Sequence, residues 1–385
     1  MVPVGGYLDQ IYSIPSRHAQ SDLSKTIAVL KHLSKCVKDG KWNNARELID
    51  LANTVGRALL SRSSEETVVH NTVLRFLKLI REESIKLHPG RTNERDELQL
   101  NLLSDLSSFD WSKIRRSDLI EPLTTALDDL ELEINSYMDY ISGLSLNFIH
   151  SDELILTVGK SNTVYNFLKY AAKKNRQFRV IVCEGFPDNH GHRMAEDLSA
   201  DGISVILVPD SHVFGLMARV NKVILGCSAV YPDGSLKAQS GTFGAMLAAK
   251  HFSIPTYVCL PPYKISPINF NLVSVSSSNA QLTNCLAKCT PAASLVTSDL
   301  SVDWLDAPSR LLPTDLIERT DRACETQSKL PTPIVWMPKW DFIPPGLTSL
   351  FLTTAGGQAP SYLYAMVREL FHPEDITESM NWVQG

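Results

Sequence analysis

A chain of 385 residues with 44% hydrophobic and 21% charged residues carries enough apolar side chains for two packed domains. A net charge of −5 excludes a nucleic-acid-binding surface as the main activity. Seven cysteines, an odd number without short paired spacing, exclude a disulfide framework and point to a reducing compartment, the cytosol.

The start, Met1 to Gly6, lacks the basic-then-apolar order of a signal peptide, and no stretch reaches the roughly 20 apolar residues of a membrane span. Neither export nor membrane insertion is expected. From residue 1 to about 145 the apolar period is helical. Leu23, Ile27, Leu30, Leu33 and Val37 mark a first helix, which Asp39-Gly40 ends. Trp42, Ala45, Ile49, Ala52 and Leu59 mark a second. Val69, Val73, Phe76 and Ile80 mark a third, stopped by His88-Pro89-Gly90. Arg91 to Leu98 reads as an exposed loop or helix start. Leu123, Leu127, Leu130, Ile134, Tyr137 and Ile141 form the strongest stripe, with Gly143 as its end. These stripes predict a bundle, a face of which could dock a partner.

After Gly143 the period changes. Apolar runs at Leu154–Val158, Phe178–Cys183, Ile203–Val208, Lys222–Gly226 and Pro255–Leu260 read as strands. Helix-length segments lie between them at Thr163–Lys174, His190–Ala200, Ser211–Val220 and Gly241–Phe252. That alternation predicts an α/β domain, a parallel sheet with helices on its faces. It would occupy residues 146–385, with a polar Ser/Thr/Asn/Pro-rich insertion at about 269–332. Order should return at Ile334-Val335-Trp336, followed by a turn at Phe342–Gly346, a strand at Leu347–Leu352 and a closing helix at Ser361–Leu370.

Ligands of open α/β sheets sit beyond the carboxyl ends of the strands. Gly159-Lys160-Ser161 stands at one such end, but the phosphate-binding loop needs a glycine where Leu154 stands. What remains is a strand-to-helix turn that binds an anion or is simply a turn. No G-x-G-x-x-G follows a strand, so no dinucleotide is expected, and no other cofactor is indicated. His190 and His192, and separately Cys285 and Cys289, lack the further ligands of a metal site, so no metal is expected. Glu184 ends the second strand, well placed for acid–base work or for a sugar hydroxyl. Cys227 and Ser228 follow the fourth.

Several motifs carry a resemblance. They are Ile149–Glu153 running into Leu154–Ser161, Val180–Glu184, Gly191–Ala195 with Arg193, Arg219–Gly226, Ser240-Gly241-Thr242, and the tail segments Ala359–Tyr364 and Glu369–Asp375. Together they resemble the regulatory subunits of eukaryotic translation initiation factor 2B over about 150–265 and 334–373, with a tail closest to the beta branch. The resemblance implies a Rossmann-like domain similar to that of sugar-phosphate isomerases acting on methylthioribose 1-phosphate or ribose 1,5-bisphosphate. It implies a cytosolic hetero-oligomer, a decamer in which beta pairs with delta and joins alpha, gamma and epsilon. The complex is the guanine nucleotide exchange factor for initiation factor 2 and senses phosphorylation of that factor's alpha subunit.

In the isomerases a cysteine follows the first strand and an aspartate the fourth; Gly159 and Ser228 match those positions. A phosphate-binding arginine matches Phe186, and an Asn-Lys pair matches Ala238-Gln239. Glycine supplies neither nucleophile nor acid, and a serine hydroxyl needs a partner to act as a base. The cleft formed by Gly159, Lys160, Ser161, Glu184, Phe186, Arg193, Cys227, Ser228, Gln239, Gly241 and Thr242 is therefore expected to be vestigial and the chain non-enzymatic. An active isomerase and a homodimeric metabolite sensor are the competing readings.

Overall fold

A computed structural model describes residues 21–62, 67–87, 110–268 and 337–384. They form two units: 1–137 with 265–267 and 364–385, and 138–264 with 268–363.

In the first unit α1 (Asp22–Asp39) is capped by Ser21, whose Oγ accepts from Ser24 N at 3.2 Å. It buries Val29, Leu30, Leu33, Cys36 and Val37. α2 (Ala45–Arg62) buries Ala45, Leu48, Ile49 and Ala52, and α3 (Thr67–Lys86) buries Val69, Val73, Phe76 and Ile80. Trp42 lies ahead of α2 rather than within it; it is buried, and its indole N–H donates to Val37 O at 3.1 Å. α4 (Arg116–Gly143), which belongs to this unit as far as Tyr137 and to the second from Met138, buries the expected stripe from Leu123 to Ile141. It begins one turn and more earlier than the stripe suggested, adds Leu119, and runs through Pro122.

The closing helix differs from expectation. Pro360–Tyr362 is a 3-10 turn, α10 follows at Leu363–Leu370, and a further helix, α11, spans Pro373–Gln384. From Tyr364 this segment belongs to the first unit, so residues 146–385 do not form one body, and the division falls at Tyr137 rather than 145. The physical reason is a row of cations on α3. Arg75 donates to Leu370 O at 3.2 Å and Lys78 to Glu369 O, both at the C-terminal end of α10, where positive charge is favoured. Arg81, 5% exposed, grips the fully buried carboxylate of Asp375 with Nε at 3.0 Å and Nη2 at 2.7 Å from Oδ1. Its Nη1 reaches Glu374 at 2.7 Å, and its guanidinium stacks 4.9 Å from the centre of the Trp111 ring. Burial pushes the Asp375 carboxyl up, against the pull of Arg81. Burial, then Arg81 and Lys78, hold His372 down at about 4, so it is neutral at neutral pH.

In the second unit α5 (Ser145–Phe148) precedes a sheet ordered β10-β9-β7-β4-β1-β2-β3. The strands are β1 (Glu153–Val158), β2 (Phe178–Cys183), β3 (Ser204–Val208), β4 (Lys222–Gly226), β7 (Thr256–Cys259), β9 (Leu350–Thr353) and β10 (Gly356–Gln358). All neighbours pair in parallel except β10, which returns antiparallel to β9. α6 (Asn162–Lys173) and α7 (His190–Ala200) pack through Val164, Phe167, Leu168, Met194 and Leu198 onto Ile155, Val180, Val182 and Ile224. α9 (Thr242–His251) precedes β7. The helix expected over Ser211–Val220 is shorter: a 3-10 turn at Asp210–His212, then α8 at Val213–Met217.

A second, three-stranded antiparallel sheet is new: β5 (Ala229–Val230), β6 (Leu236–Gln239) and β8 (Trp340–Ile343), in the order β5-β6-β8. Phe342 and Ile343, expected in a turn, end β8 instead. The expected last strand begins at Leu350, not Leu347. β4 is buried as its composition suggested, and Lys222 is accommodated by an ion pair with Glu153 at 2.7 Å and a bond to Phe148 O at 2.6 Å. The insertion at 269–332, Ile334–Trp336, Arg91–Leu98, His88–Gly90 and the Cys285/Cys289 pair lie outside the described residues. Among the described residues no helix is long and apolar enough to cross a membrane.

The Arg81–Asp375 pair yields a test. Removing Arg81 strands Asp375 as a buried carboxylate without its cation, so R81M should cost about 3–5 kcal/mol, whereas D375A, which leaves Arg81 its contact with Glu374, should cost less. The double variant R81M/D375L should recover most of that loss in urea unfolding.

Candidate functional site

The strand order turns back between β1 and β4: β2 and β3 lie on one side, β7 and β9 on the other. This is the topological switch point, where an α/β sheet presents a crevice to ligands. Gly159 leaves β1 at φ +59, its N–H donating to Cys183 O at 3.1 Å. Lys160 is paired with Asp197 on α7 at 2.6 Å. Ser161 caps α6, its Oγ accepting from Val164 N at 3.5 Å. A Cβ at Gly226 would lie 2.3 Å from that same Oγ, so glycine at the end of β4 is required by close approach to the turn after β1.

Beyond β2, the half-buried Glu184 lies 3.9 Å from His192, and Phe186 is 52% exposed. Arg193 is exposed on α7. Cys227 is buried. Its thiol faces Cys259 O at 3.9 Å, and its carbonyl accepts from the buried Lys264 at 2.7 Å. Ser228 uses its N–H on Lys237 O at 2.8 Å and opens the small sheet. Cys183 is buried and its thiol is pushed up to about 12 by burial and then by Asp210 and Glu184; burial likewise raises Cys259. Neither supplies a thiolate at neutral pH.

Gln239 fills the middle of the crevice. A Cβ at Gly159 would lie 2.1 Å from its Oε1, and one at Gly185, whose φ is +68, 2.8 Å from its Nε2. Gly241, at φ +94, is the cap residue of α9, and the buried Thr242 is the first residue of that helix.

Two site residues were not visible in the sequence pattern. Asp210, just past β3, accepts from Gly185 N at 3.1 Å and Phe186 N at 2.8 Å. A carboxylate beyond a strand end was the available signal, the same one that singled out Glu184. Asp341, on β8, accepts from Phe243 N at 2.9 Å, with the polar groups of Gly241, Thr242 and Ser240 close by. Burial pushes its carboxyl up, and those four groups oppose the shift. Nothing local marks Asp341, because its partners lie about a hundred positions earlier in the chain. Among the described residues, the N–H groups of Gly185, Phe186 and Phe243 are thus taken by the chain's own carboxylates. Among the described residues no group of three His, Cys, Asp or Glu is placed to hold a metal.

This geometry agrees with what the chain is similar to. A Dictyostelium discoideum protein named translation initiation factor eIF2B subunit beta is 30% identical over 90% of this chain and 90% of its own length. A Schizosaccharomyces pombe protein of the same name is 29% identical over 95% of each. Among solved structures, eIF2B beta from Chaetomium thermophilum superposes with a TM-score of 0.64 at 22% identity, covering 96% of this chain and 92% of that one. The tetrameric eIF2B-beta2-delta2 complex from C. thermophilum gives the same TM-score, 0.64, over 94% of each chain. Residues 19–360 match the family described as the Initiation factor 2 subunit family, and the chain belongs to that family.

Proposed function

We propose that this chain is a non-catalytic, regulatory subunit of the cytosolic guanine nucleotide exchange factor for translation initiation factor 2. The observation that carries the non-catalytic part is the occupied crevice: Gln239 over Gly159 and Gly185, Asp210 on the amides after β2, and Asp341 on the head of α9. A sugar phosphate entering there would meet carboxylates where it needs donors. The relatives named as eIF2B subunit beta support the complex, and the fold shared with a beta–delta tetramer supports delta as the direct partner. Alpha, gamma and epsilon complete the proposed decamer.

The first unit supports a docking role for initiation factor 2. From Ser117 to Gly143, α4 carries Asp118, Glu121, Asp128, Asp129, Glu131, Glu133 and Asp139 and no lysine or arginine. Asp118, Glu121, Asp128, Asp129 and Glu133 are exposed, with Leu132 uncovered among them at 69%. An acidic face around an apolar side chain fits a cationic partner surface. On this reading the chain senses phosphorylation of the alpha subunit of factor 2 through that surface, without gripping the phosphate itself.

Ribose 1,5-bisphosphate or methylthioribose 1-phosphate should leave the melting temperature of the wild-type chain unmoved and give no isomerised product. A shift of several degrees, or turnover, would sink the non-catalytic reading. Native mass measurement should find the chain with four different partners; a stable dimer of this chain alone, indifferent to delta, would favour a metabolite sensor. Charge reversal by D128K/D129K should weaken binding of initiation factor 2 about tenfold, roughly 1.4 kcal/mol, without loss of complex assembly. Unchanged affinity would remove α4 from the docking surface.

A further inference from the structure

The groups that fill the crevice share an origin. Gln239 ends β6 and Asp341 lies in β8, and these strands pair antiparallel with Ala238 opposite Asp341 and Gln239 opposite Trp340. β6 then runs through Ser240 and Gly241 directly into α9, the helix whose head Asp341 covers. The ladder is further held by the Lys237 ammonium, buried at 2% exposure and 5.2 Å from the centre of the Trp340 ring. One small sheet therefore delivers a carboxamide over the glycines that end β1 and β2, and a carboxylate onto the first turn of α9.

We infer that the β5-β6-β8 sheet is a built-in lid, and that Asp341 is an intramolecular occupant standing where the anionic group of a ligand would otherwise sit. This rests on the non-catalytic reading and deepens it: the crevice is closed by a device, not merely stripped of reactive groups. The first N–H groups of a helix have no partner within it and attract anions. Here Phe243 directs its N–H, at 2.9 Å, at a carboxylate supplied by a strand far along the chain. The left-handed φ of +94 at Gly241 turns the backbone from β6 into α9, which brings the Phe243 N–H to Asp341. Asp210 stands beside the same glycine, its Cγ 3.8 Å from the position of a Cβ there, so a second carboxylate guards the approach.

The test is chemical rescue. In D341A the Phe243 amide faces a hole the size of a carboxyl group. The melting temperature of D341A, in complex with its partner subunits, should fall by several degrees in chloride. It should recover in part when acetate or inorganic phosphate replaces chloride at equal ionic strength, and the wild type should not respond. D341N, which keeps the shape and an acceptor oxygen, should lose less and show no rescue. Absence of rescue in a folded D341A, or equal stabilisation of D341A and wild type, overturns the lid. Should D341A fail to fold, hydrogen exchange on the wild type decides: the amide of Phe243 should be protected like the middle of α9, and exchange as fast as at an open helix end overturns it. Stabilisation of the wild type by a sugar phosphate would instead strike the non-catalytic reading itself, so the two failures are separable.

Discussion

Backbone N–H groups at strand ends and helix heads need acceptors, and where a fold is built around a substrate some of them wait for it. In this chain they do not wait. Around the ends of β1 and β4, Cys183 O takes the N–H of Gly159, Asp210 takes those of Gly185 and Phe186, and Asp341 takes that of Phe243 in the first turn of α9. Much of the second unit follows from this. The loops beyond the sheet are fixed without a ligand, and β4 can approach the turn after β1 so closely that Gly226 has no room for a methyl group. The crevice keeps its architecture because the chain satisfies it from within.

Charge does a different job in the first unit. Arg81 and Asp375 are 294 positions apart, and their bidentate contact is buried, so each needs the other. A buried pair contributes little net stability against an apolar substitute, but it is intolerant of misplacement. Its geometry, with Arg75 and Lys78 on the last carbonyls of α10, holds α10 and α11 to α3. The first unit is therefore discontinuous. It closes only once the residues of the second unit have been made, which links the completeness of the helical body to the whole chain.

The periodic parts of this fold were legible in the sequence. The Leu123–Ile141 stripe and the apolar runs at Phe178–Cys183 and Lys222–Gly226 stand where their spacing put them, because burial on one helix face or both sheet faces writes itself into composition. The small sheet was not legible. β5 has two residues, and β8 finds its register only against β6, about a hundred positions earlier. α11 had a local signal, a proline at its start with Glu374 and Asp375 in the first turn, and was missed because that segment read as a tail motif. At the site, the changed positions Gly159, Phe186, Ser228 and Ala238 could be identified by resemblance. The groups that occupy the crevice could not: Asp341 is an ordinary strand aspartate until its partners are known.

Closing the crevice and exposing α4 separate two tasks that an enzyme would combine. A closed crevice cannot report on a phosphate by binding it. An acidic face can report on one by repulsion, and that is the link between the proposed docking surface and the proposed sensing role. A phosphoserine adds about −1.5 to −2 charges at neutral pH. Set near Asp128 and Asp129, it would oppose docking, and the penalty would act over roughly the 8 Å Debye length of physiological salt rather than require contact. Exposed single ion pairs contribute little, so discrimination of this kind needs several like charges on one face. The run from Asp118 to Asp139, with no cation in it, is that kind of face. Discrimination by a field demands no pocket, so the proposed closure of the crevice and the proposed response to one phosphate on a partner are compatible.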